Sequence, residues 1–170
     1  MTVNLKVYRV HTHAHMPLQA TEQSACWDIS ACLTDGDRLT VIDEYNNTRR
    51  AMVTNQCVQL YGQERMLVPT GLIFDIPPGY SLRLHPRSGL SIKKGINLIN
   101  CQGVIDSDYY HETMVALFNN TQEIFEITHG DRIAQCELVP VQLMQVEEIM
   151  HQPQPRSNRQ GGFGSTGITS

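Results

Sequence analysis

The chain has 170 residues, 41% of them hydrophobic and 18% charged, which suits one globular domain with a real core and leaves a second domain cramped. Its formal charge of −4, with both signs interspersed, offers no basic stripe of the kind that neutralises a nucleic-acid backbone, so no nucleic-acid partner is expected. The five cysteines (Cys26, Cys32, Cys57, Cys101, Cys136) are odd in number and lack CxxC spacing. Neither a disulfide framework nor a zinc site is therefore expected, and free thiols imply a reducing, cytoplasmic compartment.

In chain order, MTVNLKVYRV alternates polar and apolar residues without a long apolar run, predicting a first strand over 5–10 rather than a signal peptide or a membrane span. His11, His13 and His15 follow. On a strand they would share one face and could mimic a metal site, but Pro17 and the polar neighbours predict a loop of solvated histidines with no identifiable partner cluster. Further short apolar or alternating runs at 27–33, 71–76, 81–84, 114–118, 124–127, 133–139 and 142–146 read as strands. Pro77-Pro78-Gly79, Lys94-Gly95, Asn119-Asn120 and His129-Gly130-Asp131 punctuate them as turns.

This spacing predicts an all-β sandwich or jelly roll with little helix. The best helical stretch follows Pro86, with Ser88 capping 89–94. Asn46-Asn47 predicts a hairpin within 34–66 that extends a barrel rim rather than building a site. From His151 onward the composition turns to Pro, Gly, Ser, Asn and Gln, predicting a domain over 1–150 and a mobile arm over 151–170. Phe163, flanked by glycines in that polar arm, reads as an anchor for some other surface.

The most informative stretch is GVIDSDYYHE, residues 103–112. Val104 and Ile105 read as the buried end of a strand, where Asp106 is costly unless its charge is solvated, paired or used. An aspartate there can orient and deprotonate a water; the plainer reading is a turn carboxylate that accepts backbone N–H bonds. Four companion motifs tip the balance: SACWDISA (24–31), PRSGLSIKKG (86–95), GDRIAQ (130–135) and RQGGFGSTG (159–167). With GVIDSDY in third place, this order resembles the five-motif signature of the trimeric dUTPases, which hydrolyse dUTP to dUMP and pyrophosphate. The resemblance spans about residues 5–167, although 34–66 has no assigned counterpart.

The resemblance implies a jelly-roll-like β-barrel of the dUTPase type, a homotrimer with shared sites, dUTP as substrate and Mg²⁺ as cofactor, with no membrane partner. Asp106 would be the general base, and Asp28 would hold waters of the magnesium shell. Phosphate binding falls to Arg87, Ser88, Gly89 and Gln135. Asn100 would read uracil, within a substrate wall of Val104, Ile105 and Met114, and Tyr109 would lie beneath the deoxyribose and refuse a 2′-hydroxyl. In the arm, Arg159 would contact the phosphates, Phe163 would stack over uracil, and Gly164, Ser165 and Thr166 would supply donors. Asp131 reads as a structural partner for an arginine.

Three departures bear on local geometry: Cys26 stands where the family has glycine, Tyr110-His111 where it has Arg-Gly, and the fifth motif is one residue short before Phe163. Two rivals share the fold. A dCTP deaminase would carry a glutamate where this chain has Ala116, and a catalytically idle nucleotide-binding regulator would not need Asp106 and Tyr109.

Overall fold

The computed structural model describes residues 3–158, which form fourteen strands and one short helix. In chain order the first strands are β1 (Lys6–Arg9), β2 (Leu18–Gln19), β3 (Trp27–Ser30), β4 (Arg38–Ile42), β5 (Thr48–Met52), β6 (Cys57–Leu60) and β7 (Arg65–Pro69). Then come β8 (Leu72–Asp75), β9 (Tyr80–His85), α1 (Ser88–Lys94), β10 (Ile96–Leu98), β11 (Gly103–Ile105), β12 (Met114–Asn119), β13 (Phe125–Thr128) and β14 (Arg132–Pro140). Two five-stranded sheets, ordered β10-β12-β7-β4-β5 and β11-β9-β14-β3-β2, are joined by two ribbons, β1-β8 and β13-β6. Every pairing between these strands is antiparallel. The all-β, jelly-roll-like expectation holds.

Alternation explains the packing. Along β12, Val115, Leu117 and Asn119 point inward while their neighbours are half-exposed, the period-two pattern of a sheet wetted on one face. Inward residues from both sheets, among them Val41, Val68 and Leu117 with Ile29, Leu82 and Ala134, belong to one core.

Segment 34–66 does more than the sequence suggested. The hairpin at Asn46-Asn47 is present as β4–β5, and β5 lies at a sheet edge. Asp43 builds its turn by accepting the N–H groups of Tyr45 and Asn47 at 2.9 and 2.8 Å. Yet Leu39, Val41, Ala51, Val53, Val58 and Leu60 are all buried in the common core, so this stretch is barrel wall. Arg49 on β5 is tied to the buried Glu64 carboxylate, Nε to Oε1 at 2.7 Å.

Two other expectations change. Residues 142–146 form no strand and are exposed, because among the described residues no strand pairs with them. Ser88 does not cap the helix: Arg87 occupies the N-cap with extended backbone and no side-chain cap bond, and Ser88 is the first helical residue. The Arg87 side chain is engaged elsewhere, as shown below. The Lys94-Gly95 stop is as predicted, with Gly95 at φ 65° closing the helix through its N–H. None of the described helices is long and apolar enough to cross a membrane.

Candidate active site

β11 pairs with β9, Gly103 opposite Leu84 and Ile105 opposite Leu82. A Cβ at Gly103 would come within 3.0 Å of the Leu84 side chain, so glycine lets the two strands close there. Beside this pair lies a cavity of about 250 Å³ whose wall includes Asn100, Val104, Ile105, Asp106, Tyr109 and Met114. All six were singled out from sequence. The volume falls just below the usual range for drug-sized ligands of roughly 300–1,000 Å³, room for a base and its sugar rather than for a whole nucleoside triphosphate.

The strand end is only half as buried as the sequence suggested. Ile105 is 8% exposed but Val104 is 51% exposed, since successive side chains face opposite sides of a strand. Asp106, the next residue, is exposed. Its main-chain carbonyl accepts the Tyr109 N–H at 3.1 Å, closing a tight turn. The Asp106 carboxylate itself has no ion pair or hydrogen bond among the described residues. It is therefore left to solvent.

Tyr109 is fixed at both ends of its ring. Its hydroxyl donates to the Glu112 carbonyl at 3.2 Å, and its ring meets His111 edge-on with centroids 5.5 Å apart. The unusual Tyr110-His111 pair thus supplies a packing partner for Tyr109. Glu112 accepts the Gly71 N–H on Oε1 at 2.6 Å, tying the loop to the β7–β8 turn. Sequence reading missed Thr113, which also lines the cavity and has a buried hydroxyl with no partner among the described residues. Nothing in its sequence context separates it from an ordinary strand threonine.

A second group of predicted residues gathers elsewhere. Asp28 on β3 sits opposite Gln135 of β14, and its side chain is 11% exposed. Its Oδ1 accepts from Arg87 Nε and its Oδ2 from Arg132 NH1, each at 2.9 Å. Arg87 also donates NH1 to the Arg132 carbonyl at 2.9 Å, and Gln135 donates Nε2 to the Pro86 carbonyl at 3.1 Å. The arginine partner expected for Asp131 is thus taken by Asp28, while Asp131 accepts the Thr128 N–H and shapes a turn.

A carboxylate already clamped between two guanidinium groups is a poor direct ligand for a cation. Each oxygen nevertheless keeps a second lone pair, so the donor set fits contact with magnesium-bound water and nothing closer. Arg87 has five N–H donors in all and spends two here, leaving the rest for an anion. Above Gly89 a Cβ would meet nothing within 4 Å, so the approach to this main chain is open.

The strand register keeps the two groups apart. Continuing the β9–β11 pairing places Asp106 opposite Ser81, whereas Arg87 lies beyond the other end of β9. At about 3.4 Å per residue they are separated by roughly 15–20 Å, and none of Asp28, Arg87, Arg132 or Gln135 lines the cavity. Arg159, Phe163, Gly164, Ser165 and Thr166 lie outside the described residues.

An antiparallel jelly roll with a nucleoside-sized cavity at one end of β11 and a buttressed arginine beyond the other is an architecture for holding a small anionic molecule. The family model for dUTPase matches residues 52–167. The deoxyuridine 5′-triphosphate nucleotidohydrolase of Rhizobium rhizogenes is 39% identical over 153 residues, covering 90% of this chain and 85% of that protein. That of Syntrophotalea carbinolica is 34% identical over 167 residues, covering 98% and 99%. Among solved structures, the Staphylococcus bacteriophage 80alpha dUTPase with dUPNHPP superposes with a TM-score of 0.76 at 22% identity, over 98% of this chain and 100% of that one. The dUTPase of S. aureus phage phi11, described with a structural Mg(II) ion, gives 0.68 at 21%, over 88% and 98%. The chain belongs to the dUTPase family.

Proposed function

We propose that the protein hydrolyses dUTP to dUMP and pyrophosphate, with Asp106 as the general base. The observation that carries this reading is the Asp106 carboxylate, unpartnered among the described residues, at the wall of a cavity of about 250 Å³ that also presents the Asn100 amide. A water held by Asp106 gives up a proton as its oxygen attacks in line, the bond between the α- and β-phosphates breaks, and pyrophosphate departs. Asn100 offers both a donor and an acceptor to the base edge. Cytosine reverses the pattern that uracil presents, and would leave buried groups unpaired. The Tyr109 ring, locked by Glu112 and His111, stands where a 2′-hydroxyl would collide. Val104, Ile105 and Met114 complete the nucleoside wall.

Arg87, Ser88, Gly89 and Gln135 serve the phosphates, joined by Arg159, Gly164, Ser165 and Thr166 from the arm, with Phe163 over the base. Mg²⁺ carried in by the triphosphate would supply charge neutralisation, and Asp28, which fixes Arg87, would hold its waters. The roughly 15–20 Å between Asp106 and Arg87, set by a rise of about 3.4 Å per residue, supports a homotrimer in which one subunit's cavity meets another's arginine cluster. Exposed Val141, Leu143, Met144, Val146, Ile149 and Met150 give such an assembly apolar surface to bury. The reaction belongs to the cytoplasmic nucleotide pool.

Deamination of dCTP finds no support at the same cavity, since Ala116 lines it where an acid would be needed. Incubation with dUTP or dCTP and Mg²⁺ tests the reading. Pyrophosphate from dUTP alone is expected, and ammonia release or no product would overturn it.

A further inference from the structure

Away from both groups, the fold assembles a donor set that the sequence scatters over more than a hundred residues. The loop after β1 carries His11, His13 and His15. Cys32 follows β3, and His129 sits in the turn between β13 and β14. One ligand atom each from His13, Cys32 and His129 lies within 4.8 Å of the others. His15 and His13 meet the His129 ring edge-on, with centroids 5.1 and 5.2 Å away, and His11 stacks on His13 at 5.4 Å.

These contacts are built in, not incidental to an open loop. Cys32 is 2% exposed. Gly71, at φ +67°, lies so close that a Cβ there would fall 2.7 Å from both Cys32 Sγ and Ala14 Cβ. Gly130, at φ +84°, gives His15 the same room, since its Cβ would approach the ring to 3.1 Å. His129 Nδ1 accepts the Leu33 N–H at 3.2 Å, which places the neutral ring's proton on Nε2. His13 Nε2 meets the Thr34 hydroxyl at 3.2 Å. Both are long contacts that a stronger partner can displace.

We propose that His13, Cys32 and His129 bind a borderline divalent transition-metal ion of the Zn²⁺ type, with the fourth position taken by water or by His15. Two imidazoles and a thiolate match such an ion and not Mg²⁺, which selects oxygen donors. On binding, the Cys32 thiol gives its proton to solvent and the sulfur lone pair goes to the metal. The ion would cross-tie the N-terminal loop, the exit of β3 and the β13–β14 turn. The other cluster of this kind among the described residues, Cys26 with His85 and Glu137, is weaker because His85 Nε2 and Glu137 Oε1 already bond each other at 2.9 Å.

Co²⁺ is the probe, added to reduced, chelator-stripped full-length protein. One equivalent is expected to give a thiolate charge-transfer band in the near ultraviolet and the intense visible bands of four-coordination. Zn²⁺ should abolish both, and excess Mg²⁺ neither. Cys32→Ser should remove the charge-transfer band, while Cys101→Ser leaves it in place. Because Cys32 is packed against Gly71, its variant can fail to fold. His13→Ala, on the exposed loop, therefore gives a second measure, and is expected to weaken Zn²⁺ binding about tenfold or more with an unchanged metal-free melting temperature. Absence of the band, its survival in Cys32→Ser, its loss in Cys26→Ser, or unchanged affinity in His13→Ala would each overturn the site. All these readouts are independent of dUTP hydrolysis.

Discussion

Asp28, within β3, and Asp106, just after β11, were both marked from sequence. Their surroundings give them opposite work. Asp28 is nearly buried, with each oxygen accepting an arginine N–H at 2.9 Å, whereas Asp106 is exposed with a carboxylate that nothing described engages. A clamped carboxylate holds its partners still; one that no described residue engages is left open to water and ligand. What a carboxylate already touches thus decides its role more than its place on a strand does.

Exchanging each for its amide should separate the two roles most sharply. Asp106→Asn should lower kcat by about a hundredfold or more while nucleotide affinity and melting temperature stay near wild type, the scale of losing a general base. Asp28→Asn can accept on one side only. It should cost on the order of 1 kcal/mol of stability, after discounting for solvent screening at the half-buried Arg87 and the exposed Arg132, and raise KM as Arg87 loses its anchor. Equal losses of melting temperature in the two variants would erase the contrast.

The separation of the two groups along β9 can be tested by subunit mixing. Asp106→Asn and Arg87→Ala proteins should each be nearly inactive alone. Unfolded and refolded together, they should recover activity, because a hybrid assembly can pair an intact cavity with an intact arginine cluster. No recovery, with mixed oligomers demonstrated by mass, would mean that each chain completes its own site.

Much of this was legible in the sequence because it is local. The strand runs, the helix stop at Gly95 and the cavity residues of 100–114 are fixed by alternation, turn chemistry and a contiguous motif. What escaped depends on pairing between distant segments. Segment 34–66 carries polar residues in every strand, so its inward face shows only once β4 is placed between β5 and β7. Arg132 beside Asp131 looks like a local ion pair, yet the β3–β14 register sends it to Asp28. His129 looked like a turn residue until the fold brought it to His13 and His15.

The sugar and the phosphates define the next two steps down in size. Tyr109→Ala should narrow the preference for dUTP over UTP by roughly tenfold, read as the ratio of kcat/KM values; an unchanged ratio would reduce the ring to packing. In the C-terminal motif, Arg159→Ala should lower kcat/KM more than Arg156→Ala. Arg159 lies one residue nearer Phe163 than the family spacing, a change in reach that Gly161 and Gly162 can absorb, and a guanidinium offers paired donors that Asn158 cannot. A larger loss in the Arg156 variant would move the role there.

The smallest expected effect belongs to Thr113, and it turns on a comparison between the two ends of β12 (Met114–Asn119), which Thr113 directly precedes. Asn119 is fully buried but well satisfied, donating to the Leu60 and Glu123 carbonyls at 3.1 and 2.7 Å and accepting from Thr121. The Thr113 hydroxyl, just before the other end of the strand, is buried with no partner among the described residues, a condition that costs about 1–3 kcal/mol. Thr113 also lines the nucleoside cavity, and because its hydroxyl is closed off from solvent, a bound nucleotide can supply the missing partner only if the cavity wall shifts to uncover it. Thr113→Val keeps the shape and removes the orphaned group, so the nucleotide-free protein should melt no lower than wild type. The KM for dUTP should rise about three- to tenfold, the worth of one net hydrogen bond, with kcat unchanged. A lower melting temperature would reveal a partner for the hydroxyl within the protein itself, and an unchanged KM would leave it a packing residue.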